Sequence, residues 1–471
     1  MKKYVLLTLL LAACSSIAPV AEAPIDLRIM TFNIEWGGKH VSFDNVIEAI
    51  RIARADVVGV QEAEGNLEEL ASSLGWHFDE RNYVISRFPL IDPPEANGRY
   101  ALVEVRPGQV VAIANLHLPD APYGPDLLRD SKNVDAVIAN ENRVRVPALS
   151  GWLDRLRTPI AQGIPVFVTG DFNSPSHQDS EKIKWPVTVA MEKAGLVDAW
   201  RQVYPNAAAV PGLTWWAARP EIEHYAPGEN DPEDRIDMIW SSDGAISREA
   251  ELVGEVGRSD IAYSVDPWPS DHRAVIAEFS VTPAPAPDYL STDRRVYSES
   301  QRVTVRFNFT TEQPGYLRVS NSGSPFSSRI PIPSTSDTLA LPVLEPGAYE
   351  VSATTAGRVH SRHFWVLQDG AVPHIEATKA VFEAGEPVTI RWRDGPGFRN
   401  DYIAVYAQAN ANDLRDMSHY VYVDALPEGE MDLRKALAVS GDPLLPGRYV
   451  VRLMKDDGYE ALADSRSVRV R

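Results

Sequence analysis

At residues 281–288 the chain reads VTPAPAPD, and the hydrophobic pattern changes character across that stretch. Alternating Pro and Ala form a semi-rigid, extended spacer, so two unlike halves are expected on either side of it. Before it, the runs LRIMTFNI, DVVGVQE, YVISR, ALVEV, VVAIANLHL, VFVTGDFN, RIDMIW and AVIAEFSV have the length and apolar content of strands. Between them FDNVIEAIRIARA, NLEELASSLG and VRVPALSGWLDRL place apolar residues at helical spacing. The alternation predicts an α/β half with two sheets' worth of strands. After the Pro/Ala stretch helical signals almost vanish, and the chain echoes itself. Val296-Tyr297 followed by Val303–Phe307 matches Val381-Phe382 followed by Val388–Trp392, and Pro346-Gly347-Ala348-Tyr349 matches Pro446-Gly447-Arg448-Tyr449. Two copies of short alternating strands separated by turn signals predict two immunoglobulin-like β-sandwiches, with Pro-Gly-x-Tyr as the turn into a late strand.

A chain of 471 residues exceeds one core, so several domains are expected. The N-terminus, MKKYVLLTLLLAACSS, has two lysines, an apolar run too short to be a permanent membrane span, and small residues before Cys14. It resembles a bacterial lipoprotein signal, in which the cysteine becomes the lipid-bearing first residue. Cys14 is the single cysteine, which excludes an intrachain disulfide. Ser15 after it fits delivery to the outer membrane. The expected organisation is a signal over 1–13, an anchor linker over 14–24, an α/β domain over 25–281, the linker over 282–288, and sandwiches over 289–368 and 373–471. A linker of this kind implies that cutting at Pro285 leaves turnover of a small substrate nearly unchanged. The expected location is the cell envelope, as a monomer held to the membrane through lipid on Cys14.

Without residues 1–13 the formal charge is −21, of which residues 14–281 carry −18. Nucleic-acid affinity comes largely from Lys and Arg on phosphates. An acidic half therefore excludes general DNA binding unless its site is locally basic or charged by a metal.

Polar residues recur at the ends of the apolar strands. Asn33 and Glu35 follow Ile29–Phe32, Gln61 and Glu62 follow Val57–Val60, and His117 closes Ala112–Leu116. Asp171 and Asn173 close VFVTGDFN, Asp237 sits in RIDMIW, and Ser270-Asp271-His272 precedes the last strand of the half. Positions i and i+2 of a strand share a face, and an unpaired polar group in an apolar layer costs about 1–3 kcal/mol. Gathered at one mouth, these groups offer the hard oxygen ligands that suit Mg²⁺, Mn²⁺ or Ca²⁺.

The ordered set TFNIEWGG, VGVQEAEG, NYVISRFPL, IANLHLP, VTGDFNSPS, TWW, DRIDMIW and SDHRAVIAEF resembles the endonuclease/exonuclease/phosphatase superfamily over residues 25 to about 281. The resemblance implies a four-layer α/β sandwich, two mixed sheets flanked by helices, with one cleft at the strand ends. It implies a metal-dependent phosphoesterase that acts on phosphodiesters, nucleic acid among them, by attack of water. It implies Glu62 as principal metal ligand with Glu35 and Asp271, and Mg²⁺ as the metal, with Mn²⁺ or Ca²⁺ as alternatives. Asn33 and Asn173 would hold phosphate oxygens, and Asp171 would position or deprotonate the water. His272, oriented by Asp237, would stabilise the phosphoryl charge, and His117 would be a second acid or phosphate contact. Deoxyribonuclease-like members place a Glu before an Arg-Tyr pair to support that histidine, whereas here Gly98 precedes Arg99-Tyr100. Two alternatives stand beside this reading: a phosphomonoesterase or phospholipid-head-group hydrolase of the same fold, and a surface binding protein with a vestigial catalytic half. Tyr123 and Trp215-Trp216 are further candidates near a substrate, against a packing role for each.

Overall fold

The computed structural model describes residues 23–217, 233–310, 312–383, 385–438 and 444–471. The signal segment, Cys14 and most of the anchor linker lie outside the described residues. No helix among those described is long and apolar enough to cross a membrane.

The first half folds as four layers. One seven-stranded sheet is centred on Ala274–Val281, Ile25–Asn33 and Val57–Gln61; a second is centred on Gln109–His117, Val166–Asp171 and Asp237–Ser241. Alternation along the strands explains the stacking. Leu27, Ile29, Val57, Val111, Ile113 and Phe167 point between the sheets into one core. Met30, Phe32, Val58 and Val60 turn outward under the helices Phe43–Ile52 and Leu67–Leu74. Val110, Ala112, Val166 and Val168 turn outward on the other side, under Val134–Ala161 and Pro186–Lys193. Strands buried on both faces read as continuous apolar runs, which makes them legible in the sequence. The long helix begins ten residues before the Val144 start expected from its spacing, and it carries Pro147 and Pro159 inside. Ala245–Gly254 is a strand that the pattern does not predict, because a register shift between Ser247 and Glu249 breaks its alternation and leaves Ile246, Arg248 and Glu249 exposed.

Where the two sheets face each other they come close. A Cβ on Gly59 would lie 1.9 Å from Thr169 Oγ1 and 2.6 Å from Asn115 Oδ1. The groups it would strike form a buried polar network. Gln61 Nε2 donates to Asn115 Oδ1 at 2.5 Å and to Thr31 Oγ1 at 3.1 Å, and Thr169 Oγ1 donates to Asn115 Oδ1 at 3.1 Å.

After Tyr289 the described chain is all-β, in two units of two sheets each. The internal echo is real in space. Val296–Ser298 and Val381–Phe382 both pair parallel with the last strand of their own unit. Thr304–Asn308 and Thr389–Arg393 are both the middle strand of a three-stranded sheet. Tyr349 and Tyr449, of the two Pro-Gly-x-Tyr turns, each donate a hydroxyl to the carbonyl four residues back, at 2.8 and 2.6 Å.

The linker differs from the spacer expected of it. Ala284 and Pro285 pair with Val110 and Gln109, and Ala284, Ala286 and Tyr289 are buried in the core of the first half. Alternate Pro and Ala suit an edge strand, where the missing amide donors face away from the neighbour. The two β-units also dock on the first half. Buried Asp92 binds the half-buried Arg81 at 3.2 Å and the buried Arg362 of the first β-unit. Asp456 of the second unit accepts from the Gly65 amide at 2.6 Å and from the Tyr83 hydroxyl. Arg399 lies 4.9 Å over the Trp152 ring and donates to the Arg81 carbonyl at 3.0 Å.

Candidate active site

Strand register builds the site. His117 is the register partner of Asp171, and Asp171 the partner of Asp237, so three adjacent strands end at one level. On the facing sheet Asn33 and Gln61 are partners, which brings Glu35 and Glu62 out side by side just beyond them. Ser270 closes the ring: its hydroxyl donates to the Asn33 carbonyl at 2.6 Å and accepts from the His272 amide at 3.0 Å. That turn pins Asp271 and His272 against the mouth.

All nine expected residues meet in this one constellation. His272 Nδ1 lies 2.9 Å from Asp237 Oδ2, and its Nε2 lies 3.7 Å from Asp171 Oδ2 and 3.9 Å from Asp271 Oδ1. His117 Nε2 approaches the same Asp171 oxygen at 3.5 Å from the more open side. Asp171 Oδ1 accepts from the Asn173 amide at 2.8 Å. Asn33 Nδ2 donates to Glu62 Oε1 at 2.9 Å and to Asp171 Oδ2 at 3.3 Å, so its amide joins the two carboxylates. The Asn173 side chain donates to the Leu118 carbonyl at 2.9 Å, and its amide group is thereby used to fix the turn. Glu62 Oε2 accepts from the Trp36 amide and Glu35 Oε2 from the Asp271 amide, at 3.1 and 3.2 Å.

Glu35, Glu62 and Asn173 take φ of 52°, 56° and 45°. Left-handed backbone costs a non-glycine residue about 1–2 kcal/mol. Such conformations cluster where function fixes the chain, and three of the nine site residues adopt one.

Burial disfavours charge on His272, but the carboxylates of Asp237, Asp271 and Asp171 outweigh it and hold the imidazole well above its ordinary value. Burial and then the Asp237 charge raise Asp171, against the opposing pull of His272 and His117. Burial opposes a charge on His117 too, and Asp171, Glu62 and Asp457 together raise it. A cation in the cleft would lower all three.

The residues fit a hard divalent ion. Asp237 Oδ1 is buried with no hydrogen-bond partner among the described residues, and Glu35, Glu62 and Asp271 supply carboxylate oxygens with no sulfur among them. Asp171, Asp237 and His272 also bring one ligand atom each within 4.8 Å of one another.

Of the aromatic candidates, Trp215 reaches the site: its Nε1 donates to Asp271 Oδ2 at 3.4 Å, and its ring lies 6.3 Å from that of His272. Tyr123 packs on Trp215 and donates to Asp234 at 2.9 Å. Arg99 stacks 4.1 Å over Trp152. Thr214 is a site residue that no strand-end pattern marks; its hydroxyl accepts from the Ile236 and Asp237 amides, both at 3.1 Å. The second β-unit comes to the rim of the site as well: Arg415 lies 5.7 Å over the ring of Trp36, whose amide binds Glu62, and Asp457 adds to the charges that raise His117.

Residues 30–272 match the endonuclease/exonuclease/phosphatase family. An uncharacterized protein of Caenorhabditis elegans is 28% identical over an alignment of 294 residues, with 54% of this chain and 91% of that protein covered. Among solved structures, an endonuclease/exonuclease/phosphatase from Beutenbergia cavernae is 16% identical, with 72% of this chain and 99% of that one covered at a TM-score of 0.36. An AP endonuclease from Leishmania major is 15% identical, with 54% and 88% covered at 0.35.

Proposed function

Because the chain belongs to the endonuclease/exonuclease/phosphatase family, we propose that it is a divalent-metal-dependent phosphoesterase that cleaves phosphodiester bonds by attack of water. The observation that carries this reading is the buried Asp171, Asp237 and His272 cluster, joined through Asn33 to Glu62. A binding protein with a vestigial catalytic half has no use for such a costly arrangement of buried carboxylates.

Glu62, Glu35 and Asp271 would hold the metal, which when bound neutralises charge on the phosphoryl oxygens and sharpens the electrophile. The chain's own groups do the rest. Asp171, raised by burial and fixed by the Asn173 amide, takes a proton from the attacking water. His272 donates its Nδ1 proton to Asp237 and keeps Nε2–H facing the cleft, where it hydrogen-bonds a phosphoryl oxygen as negative charge grows. His117, on the open side, gives a proton to the departing oxygen. The water oxygen bonds to phosphorus, the phosphorus–oxygen bond to the leaving group breaks, and Asp171 and His117 exchange protonation states.

A second reading, hydrolysis of a phosphomonoester or phospholipid head group, is favoured by the −18 charge of residues 14–281, since a small phosphate needs no basic track. Lipidation at Cys14 and an outer-membrane address complete the proposal. Tail units of the immunoglobulin type fit the paired two-sheet topology. The test uses the chain without residues 1–14. Turnover of bis-p-nitrophenyl phosphate with Mg²⁺, lost in EDTA, is expected; p-nitrophenyl phosphate as the sole substrate would favour the second reading. No turnover of either would sink both. A membrane-bound wild type beside a Cys14→Ala protein in the soluble fraction is expected for the anchor.

A further inference from the structure

The turn Lys455–Glu460 of the second β-unit is seated against the catalytic half. Asp456 is buried, with the Gly65 amide and Tyr83 hydroxyl on its carboxylate and its own amide on Asp401 Oδ1 at 3.1 Å. Gly65 lies three residues beyond Glu62, so this lock holds the turn at the rim of the cleft. The next residue, Asp457, is exposed, with φ of 65° and a backbone amide held by the Asn400 carbonyl at 3.1 Å. Its carboxylate accepts from the Tyr422 hydroxyl at 2.7 Å. Tyr420 and Tyr422 stand two apart on one strand face, their rings 5.8 Å apart and nearly perpendicular. Asp120, three residues past His117, adds a second exposed carboxylate that acts on both Asp457 and Tyr420.

Two described cations of this region are held in place, one by a carboxylate and one by aromatic rings. Lys455 pairs with Glu460 at 3.0 Å, and Arg415 lies over the rings of Trp36 and Tyr459 at 5.7 and 5.3 Å. A strand with further phosphates beyond the scissile one would bring those charges against Asp457 and Asp120. Carboxylates accept strongly from hydroxyls, and tyrosine presents an apolar face with a polar tip. We propose that the second β-unit forms the specificity wall of the catalytic cleft, in which Asp457, Tyr420 and Tyr422 receive the uncharged, hydroxyl-bearing ring of a small phosphoester and turn away polyanionic strands. This rests on the phosphoesterase reading above.

The experiment measures competitive inhibition of bis-p-nitrophenyl phosphate turnover by glucose 6-phosphate and by a twelve-nucleotide single strand, on the chain without residues 1–14. In the wild type, glucose 6-phosphate is expected to inhibit at least tenfold more tightly than the strand. Asp457→Asn should weaken the sugar phosphate about tenfold, the scale of a lost charge-assisted hydrogen bond, and should tighten the strand. Tyr422→Phe, which leaves the Asp457 charge in place without its hydroxyl partner, should weaken the sugar phosphate by less than Asp457→Asn does and leave the constant of the strand near its wild-type value. Tighter inhibition by the strand in the wild type, or equal shifts of both inhibitors in Asp457→Asn, overturns the wall. Absence of turnover of both bis-p-nitrophenyl phosphate and p-nitrophenyl phosphate in the wild type instead overturns the phosphoesterase reading, and the wall falls with it; where p-nitrophenyl phosphate alone is turned over, the same inhibition is read on it.

Discussion

Asp171 meets two histidines, the Asn33 amide and the Asn173 backbone. Asp171→Asn keeps the shape and removes the base, so turnover is expected to fall at least 10³-fold with an unchanged melting temperature; near-normal kcat would remove the residue from its role. Asp237→Asn should behave differently. It leaves the His272 ring in place but exchanges the carboxylate at Nδ1 for an amide, so kcat should fall 10²- to 10⁴-fold with little change in KM. A rise in KM alone would make Asp237 a binding group. At this scale most of the site is legible in the sequence, because its nine expected residues stand at or just beyond one end of an apolar strand and so announce themselves as polar groups without a local use; Thr214 does not. The roles of Asn33 and Asn173 are less so. Sequence shows an amide, and only the fold shows that both amides are occupied by carboxylates or a carbonyl.

Among elements, the closeness of the two sheets is set by Gly59. Gly59→Ala would push a methyl into Thr169 and Asn115 and loosen the network under Gln61. Overpacking of this kind costs about 1–3 kcal/mol, and the expected outcome is a lower urea midpoint with reduced turnover, since Gln61 adjoins Glu62. An unchanged midpoint would mean that the sheets can part. The strands of both sheets are readable because burial on two faces leaves long apolar runs. Ala245–Gly254 is not, since its alternation breaks at the register shift. The start of the long helix is hidden by Asn140, Glu141, Asn142 and Arg143, a polar stretch that separates its first turns from the apolar spacing beyond Val144.

For the whole molecule, the sequence suggests a catalytic half and a detachable tail, and the docking contradicts the second idea. Nothing in a local pattern marks Asp456 or Asp457, because their meaning comes from contact between units far apart in the chain. Burial pushes Asp456 up to about 6, from an ordinary value near 3.8. An acid raised on folding binds its proton more tightly in the native state, so its stabilisation is full below about pH 4 and is lost as pH rises through 6. A displacement of that size is worth about 3 kcal/mol. The urea midpoint of the wild type, minus that of Asp456→Asn, is therefore expected to fall between pH 4 and 7; a constant difference would show that the carboxyl is charged throughout. Deleting residues 373–471 should raise KM for small substrates and lower the melting temperature, in place of the indifference that the Pro/Ala stretch suggests.

That stretch has a practical corollary. With Ala284 and Pro285 hydrogen-bonded along Val110 and Gln109, and Tyr289 sunk beneath the neighbouring sheet, proteases should find no hinge there to nick. An engineer wishing to graft the hydrolase onto another carrier would have to place the junction beyond Thr292, or lose an edge of the fold with the cut.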